Sequence, residues 1–327
     1  MRKNKAPSIL RAGARQVAKA NVSSAAFAQY IERLQSEVTA KKYKSAVDEF
    51  NRTLSRAGIE SFAKMPRGTL NKYIELLAEQ GYAPASIGVY VSGVKRYLRW
   101  VEDQGTKVNP QSKAEVPKKR HVMRDILTPD MLRAYVGYAD DLLQEPVRTA
   151  AILLPCTGLR ANELVSLPLT AIRKVDVQLQ GRTRRVLSLR VTGKGGKERT
   201  VPIIGEGAQV LLTYLSSYRQ TRKGPYVFPG ARSRHNKKGE IPMATRTLRY
   251  AVAQLREPFG MTFTPHTMRR TYLVSLWRRG VDAPTIAKIA GHTNIQTLFQ
   301  HYLNLDDQDV LRAVHESEGT RNAKAKR

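Results

Sequence analysis

A single cysteine, Cys156, occurs in 327 residues. That excludes an intrachain disulfide framework and any cysteine-based metal site. No apolar run approaches the ~18 residues that a membrane-spanning helix needs. The N-terminal stretch MRKNKAPSILRAGARQ lacks the apolar core of a secretory signal. These absences predict a cytoplasmic protein without a membrane partner. Acidic residues are also scarce, 27 against 56 lysines and arginines, which leaves a formal net charge of +29. Such a chain needs a polyanion to balance it, and nucleic acid is the usual one. A ribosomal or chromatin-packing protein would satisfy the charge too, but those tend to be shorter or of lower complexity. Hydrophobic residues at 41% fill two ordinary cores, in keeping with two domains at this length.

Residues 1–20 are basic and aperiodic and read as a flexible arm. Residues 21–107 read as a small all-helical domain of about four helices with short connections. Its apolar stripes are Phe27, Ile31 and Leu34; Tyr43, Val47, Phe50 and Leu54; and Ile87, Tyr90, Val94, Leu98 and Val101. Gly58, Gly81 and Gly105 stand as stop signals. Beside the stripes lie Lys41, Lys42, Lys44, Lys95, Arg96 and Arg99, which form a candidate DNA-facing surface or, more plainly, solvated helix faces. Residues 108–124 carry prolines and the run Lys118, Lys119, Arg120, and read as a basic linker.

A second domain is expected over 125–316, with a basic tail at 317–327. Thr128 and Pro129 open its first helix, and EPVRTAAILLPCTG is an apolar helix. Strands are expected at about 171–179, 185–192 and 198–203, joined by QGRT and GKGG. Further helices are expected at about 206–220, 243–257, 267–279, 283–290 and 294–301. The fold class is mainly α with a small antiparallel sheet.

Four segments of this domain carry reactive side chains: TGLRANEL (157–164), TGKGGKERTVPI (192–203), TPHTMRRTYL (264–273) and AGHTNIQTLFQHY (290–302). Arg160 offers a planar fork that matches two phosphate oxygens. Glu163, three residues on, shares its helical face and can hold that fork. His266 and Arg269 open a helix, capped by Thr264 and started by Pro265, at an end that suits a phosphate. Lys194 lies in a glycine-flanked turn, where an ammonium can donate a proton to a leaving oxygen. Lys197 competes for that role, and Lys197 and Arg199 also read as DNA contacts. His292 follows Gly291 and can donate to the phosphate or orient a nucleophile. Tyr302 lies shortly after it, near the chain end, whereas Tyr272 sits on an apolar face and reads as core.

In this order the four segments resemble the tyrosine recombinase (phage integrase) family. The resemblance implies that Tyr302 is the nucleophile, with Arg160, Lys194, His266, Arg269 and His292 around the phosphate. In the commonest family pattern the tyrosine comes nine positions after the histidine. Here that position is His301 and the tyrosine is the tenth, a spacing that also occurs in the family. The resemblance further implies a helical core-binding (SAM-like) domain followed by an α+β catalytic domain. It implies chemistry without metal or cofactor, a double-stranded DNA partner, and a homo-tetramer on paired sites that exchanges strands through a Holliday junction. The segment LNLDDQDVLRAVHE, from residue 303, looks like the C-terminal helix through which protomers dock. Accessory DNA-bending proteins are compatible with this picture, as is a prokaryotic, phage or mobile-element setting. Two other readings stay open at this point: a type IB topoisomerase that relaxes DNA as a monomer, and a DNA-binding relative without catalysis.

Overall fold

The structure, a computed structural model, describes residues 22–117, 126–179, 181–193, 196–231, 236 and 240–291. The chain divides into two compact units, the first reaching residue 122 and the second starting at residue 123.

The first unit is helical: α1 (Ser24–Leu34), α2 (Glu37–Arg56), α3 (Thr69–Glu79) and α4 (Pro84–Asp103). Ser23 and Ser36 accept backbone hydrogen bonds from Ala26 and Thr39 and so start α1 and α2. The apolar stripes converge on one core in which Phe27, Ile31, Val47, Phe50, Tyr73, Val94 and Tyr97 are buried. Its aromatic rings meet edge to face, Phe27 with Tyr97 at 5.3 Å and Phe50 with Tyr73 at 5.2 Å. The buried phenols need acceptors: Tyr97 donates to the Val22 carbonyl at 2.7 Å and Tyr73 to the Ala46 carbonyl at 3.2 Å. Leu34 departs from expectation. It closes the last turn of α1 and is exposed. Only Gln35 and Ser36 separate it from α2, so it sits at the turn between the two helices. Residues 108–115, expected to be linker, are tied to this unit. Asn109 donates to the Phe62 and Met65 carbonyls, and the Glu115 amide donates to Asn71 Oδ1.

The second unit begins with α5 (Pro129–Leu142), capped by Thr128, and continues into α6 (Val147–Thr157) and the short α7 (Ala161–Val165). Strands β1 (Ile172–Leu179), β2 (Arg182–Thr192) and β3 (Glu198–Ile203) form an antiparallel sheet in the order β1-β2-β3. Strand β2 starts earlier than the sequence suggested because Arg182, Thr183 and Arg184 continue the ladder against Leu179, Gln178 and Val177. Helices α8 (Gly205–Ser217), α9 (Thr245–Gln254), α10 (Pro265–Arg278) and α11 (Ala283–Ala290) complete the described fold.

The almost wholly apolar α6 is central. Ala150, Ala151, Ile152, Leu153 and Leu154 are buried in one cluster with Tyr135, Leu189, Val201, Leu211, Leu248 and Phe263. Burying Ile152, Leu153 and Leu154 contributes roughly 1.5–3 kcal/mol each, so α6 anchors the elements around it. Its C-terminal end is where Arg160 emerges. Among the described residues, no helix is long and apolar enough to cross a membrane.

Candidate active site

Helix α6 ends at Gly158, which takes a left-handed conformation (φ +62°). That turn delivers Leu159 to the core and places Arg160 at the head of α7. Glu163, one turn further on, reaches back. Its Oε2 accepts from the Arg160 backbone N–H at 2.9 Å and its Oε1 accepts from Arg160 Nη1 at 2.8 Å. The same carboxylate takes two hydrogen bonds from Arg199 on β3, Nη1 to Oε1 at 3.1 Å and Nη2 to Oε2 at 2.7 Å. Arg269 Nη1 stands 4.0 Å from Glu163 Oε2. Three guanidiniums therefore surround one buried carboxylate, and the cluster carries a net positive charge.

Burial alone would push the Glu163 carboxyl up. The hydrogen bonds from Arg199 and from the Arg160 backbone outweigh it and hold the group below the usual carboxylate range. It stays an anion, able to fix the guanidiniums around it.

Thr264 and Thr267 cap the start of α10 reciprocally, each hydroxyl accepting the other's backbone N–H, at 3.3 and 3.0 Å. Pro265 takes the first helical position. His266 is exposed at the helix head. Arg269, one turn on, is 1% exposed. Its Nη1 donates to the Gly158 carbonyl at 2.7 Å and its Nη2 to the Ala290 carbonyl at 2.5 Å. Arg269 thus binds both the turn before Arg160 and the end of α11.

Lys194, His292 and Tyr302 lie outside the described residues, but residues flanking the first two do not. Gly193, which precedes Lys194, closes its turn by donating to the Lys197 carbonyl at 2.8 Å. A Cβ on Gly193 would lie 3.4 Å from Arg199 Nη1 and 3.9 Å from Glu163 Oε1. Gly291, which precedes His292, is left-handed (φ +65°), and a Cβ there would lie 3.0 Å from Arg199 Nη1. The chain enters both segments against the same cluster.

The surface cations are distributed as follows. Lys42, Lys95, Arg99 and Lys197 are exposed, and Arg96 is half-buried. Lys41 pairs with Glu37, and Lys44 pairs with Asp48 at 2.7 Å, partly exposed ion pairs of the kind that contribute little to stability. Lys95, Arg96 and Arg99 line a cleft of about 460 Å³ with Tyr30 and Trp100. Lys118, Lys119 and Arg120, the arm at 1–20 and the segment from residue 303 lie outside the described residues. Arg199 corrects the sequence reading. It is not a surface contact, because it is 8% exposed and its donors are committed inside the protein. Tyr272 is buried as expected, and burial pushes its phenol up. Among the described residues, no group of His, Cys, Asp and Glu side chains is arranged to hold a metal.

Residues 125–309 match the phage integrase family, and residues 25–105 match the phage integrase N-terminal SAM-like domain. The tyrosine recombinase XerA of Pyrococcus horikoshii is 27% identical over 296 residues, covering 89% of this chain and 92% of that protein. The tyrosine recombinase XerC of Bacillus pumilus is 28% identical over 299 residues, covering 88% and 92%. Among solved structures, the XerH site-specific recombinase in a post-cleavage complex with palindromic difH substrate gives a TM-score of 0.68 at 17% identity, covering 96% of this chain and 90% of that one. A lambda integrase dimer bound to a COC′ core site gives 0.63 at 17% identity, covering 94% and 82%. At these identities the structural likeness is one of fold.

Proposed function

The chain belongs to the phage integrase family of tyrosine recombinases, enzymes that cleave and rejoin DNA, and from that premise we propose that it cuts duplex DNA with Tyr302 as nucleophile at the arginine cluster around Glu163. The observation that carries the reading is the excess of cations there: Arg160, Arg199 and Arg269 against one carboxylate. A phosphodiester is an anion that repels a nucleophile. Fixed guanidiniums stabilise the charge that grows on its oxygens in the transition state. Arg160, whose side chain is 42% exposed, is the member of the cluster open to a ligand.

In this mechanism the Tyr302 oxygen attacks the phosphorus and the P–O5′ bond breaks. The tyrosine proton passes to His266, and the departing 5′-oxygen takes a proton from Lys194 or Lys197. The products are a 3′-phosphotyrosyl bond and a free 5′-hydroxyl. The covalent bond conserves the phosphodiester energy, so a 5′-hydroxyl from another strand reverses the step without a nucleotide cofactor. On this reading residues 21–107 form the core-binding domain and 125–316 the catalytic domain. The basic face around Lys95, Arg96 and Arg99 lies along duplex DNA, and protomers assemble as a tetramer on paired sites through the segment from residue 303. The DNA-bound state of the XerH and lambda integrase structures supports the duplex partner.

The test is a covalent trap. The protein is incubated with fragmented genomic DNA of its source that includes nicked fragments, denatured in detergent, and the bound DNA is sequenced. Enrichment of one short inverted-repeat site, absent with Tyr302→Phe, is the expected result. Capture spread over unrelated sequences would mean a relaxing topoisomerase. DNA binding without capture would mean a relative that binds only.

A further inference from the structure

The geometry points to Arg199 as a positioning residue of the cleavage site: its guanidinium orients the Glu163 carboxylate that holds Arg160, and it fixes the end of α11 from which His292 follows. The inference rests on the reading of Arg160 and His292 as cleavage residues.

Strand alternation puts Arg199 on the inward face of β3 with Val201 and Ile203. Burying a guanidinium is costly unless its donors are satisfied. Here Nη1 and Nη2 grip both Glu163 oxygens, and Nε donates to the Ile289 carbonyl at 2.8 Å. Only a planar fork serves a carboxylate and a carbonyl together. A lysine ammonium is a point charge on a flexible stem and cannot reproduce that geometry.

Stability alone does not call for this arrangement. Replacing a buried ion pair by well-packed apolar residues is often neutral or stabilising. An apolar residue between its inward neighbours would pack the sheet, but it could not orient Glu163. The position of Arg199 explains what the pair does instead. Ile289 and Ala290 are the last two residues of α11, and their carbonyls accept from Arg199 and Arg269 respectively. Two guanidiniums thus satisfy backbone groups at the negative end of the helix. Gly291 then lies so close that a Cβ would meet Nη1, Cδ and Cζ of Arg199 at 3.0–3.2 Å. A Cβ on Gly193, at the root of the Lys194 turn, would lie 3.4 Å from Nη1 of the same guanidinium. Gly193, Gly291 and the Glu163 that holds Arg160 therefore meet at one buried residue.

The experiment compares wild type, Arg199→Lys, Arg199→Met and Glu163→Gln, each first checked for a cooperative melt. Hydrogen exchange of the free proteins is read for residues 158–165 and 286–291. In Arg199→Lys exchange should rise in both segments, and in Glu163→Gln mainly in the first; no rise in either segment of Arg199→Lys overturns the proposal without any DNA. On fragments captured by wild type, covalent-adduct formation should fall ~10²-fold in Arg199→Met and less in Arg199→Lys, the scale expected when a reacting group is misplaced by about an ångström. DNA affinity should stay within about threefold. Adding Glu163→Gln to Arg199→Met should deepen the loss little, because both act on Arg160. A folded Arg199→Lys that cleaves at the wild-type rate, or a variant that loses binding and cleavage in step, overturns the assignment. Tyr302→Phe runs alongside. Adduct that persists there refutes the cleavage reading itself, and the exchange data still decide whether Arg199 joins the segments.

Discussion

A Cβ on Gly158 would lie 2.4 Å from Cδ1 of Tyr272. The turn that presents Arg160 is thus packed directly on the ring of a buried tyrosine from α10, the helix that also supplies Arg269. The same glycine is left-handed, and its carbonyl accepts from Arg269. Gly158→Ala therefore meets two penalties at once. The left-handed backbone costs on the order of 1–3 kcal/mol for a residue with a side chain, and the ring must move. The variant should melt several degrees lower and lose most of its cleavage activity. An unchanged melting temperature would refute this account of the turn.

How much of this was legible in the sequence depended on how local each interaction is. Glu163 holding Arg160 is an i,i+3 relation on one short helix, and spacing alone suggested it. The inward position of Arg199 was also written in the alternation Arg199, Val201, Ile203, but the bulk charge of the chain made a surface role the natural reading for any arginine. His266 and Arg269 share a spacing that suggests one face, yet one is exposed and the other buried. Of the first turn of α10 only His266 faces outward, while Pro265, Thr267 and Met268 are buried with Arg269. The acceptors at Gly158, Ile289 and Ala290 are backbone carbonyls and carry no side-chain signature, so their role appears only in three dimensions.

Glu163 gives a pH dependence. Its carboxyl titrates below the usual range in the folded protein, whereas in the unfolded chain it titrates near ~4.3. The unfolded state therefore binds a proton first as pH falls. The stabilisation is complete above that unfolded value and is lost as pH drops through the folded one. Glu163→Gln leaves Arg199 buried without its counter-ion, a change that costs about 3–5 kcal/mol in comparable pairs. Denaturant melts of the two proteins should differ most near neutrality, and the gap should narrow as pH falls below the unfolded value and through the lower, folded one. A gap that does not narrow anywhere as pH falls until the proteins acid-unfold would mean that the carboxylate charge is not what holds the cluster.

The basic face of α4 makes a prediction about salt. If Lys95, Arg96 and Arg99 each neutralise a phosphate, changing all three to glutamine lowers the slope of log affinity against log salt by about 0.9 for each phosphate left unneutralised, roughly 2.7 in all. Fluorescence anisotropy on a labelled duplex between 50 and 300 mM salt measures it. A slope equal to that of wild type would make these residues solvated cations of an ordinary helix surface.

The general acid can be assigned by changing the leaving group. A 5′-bridging sulfur in place of oxygen departs as a thiolate, whose conjugate acid has a pKa of about 8.5 in a cysteine-like thiol, so it needs no proton at neutral pH. A variant that lacks the acid should then cleave the sulfur substrate at close to the wild-type rate while failing on the oxygen substrate. Lys194→Ala is expected to show this rescue. Lys197→Ala should be impaired on both substrates to the same modest degree, because an exposed lysine at the foot of the turn would act only by attracting phosphate. Rescue of Lys197→Ala alone would move the acid three residues along the chain. Rescue of neither would mean that the leaving oxygen draws its proton from elsewhere, and His266 at the head of α10 would then be the next residue to substitute.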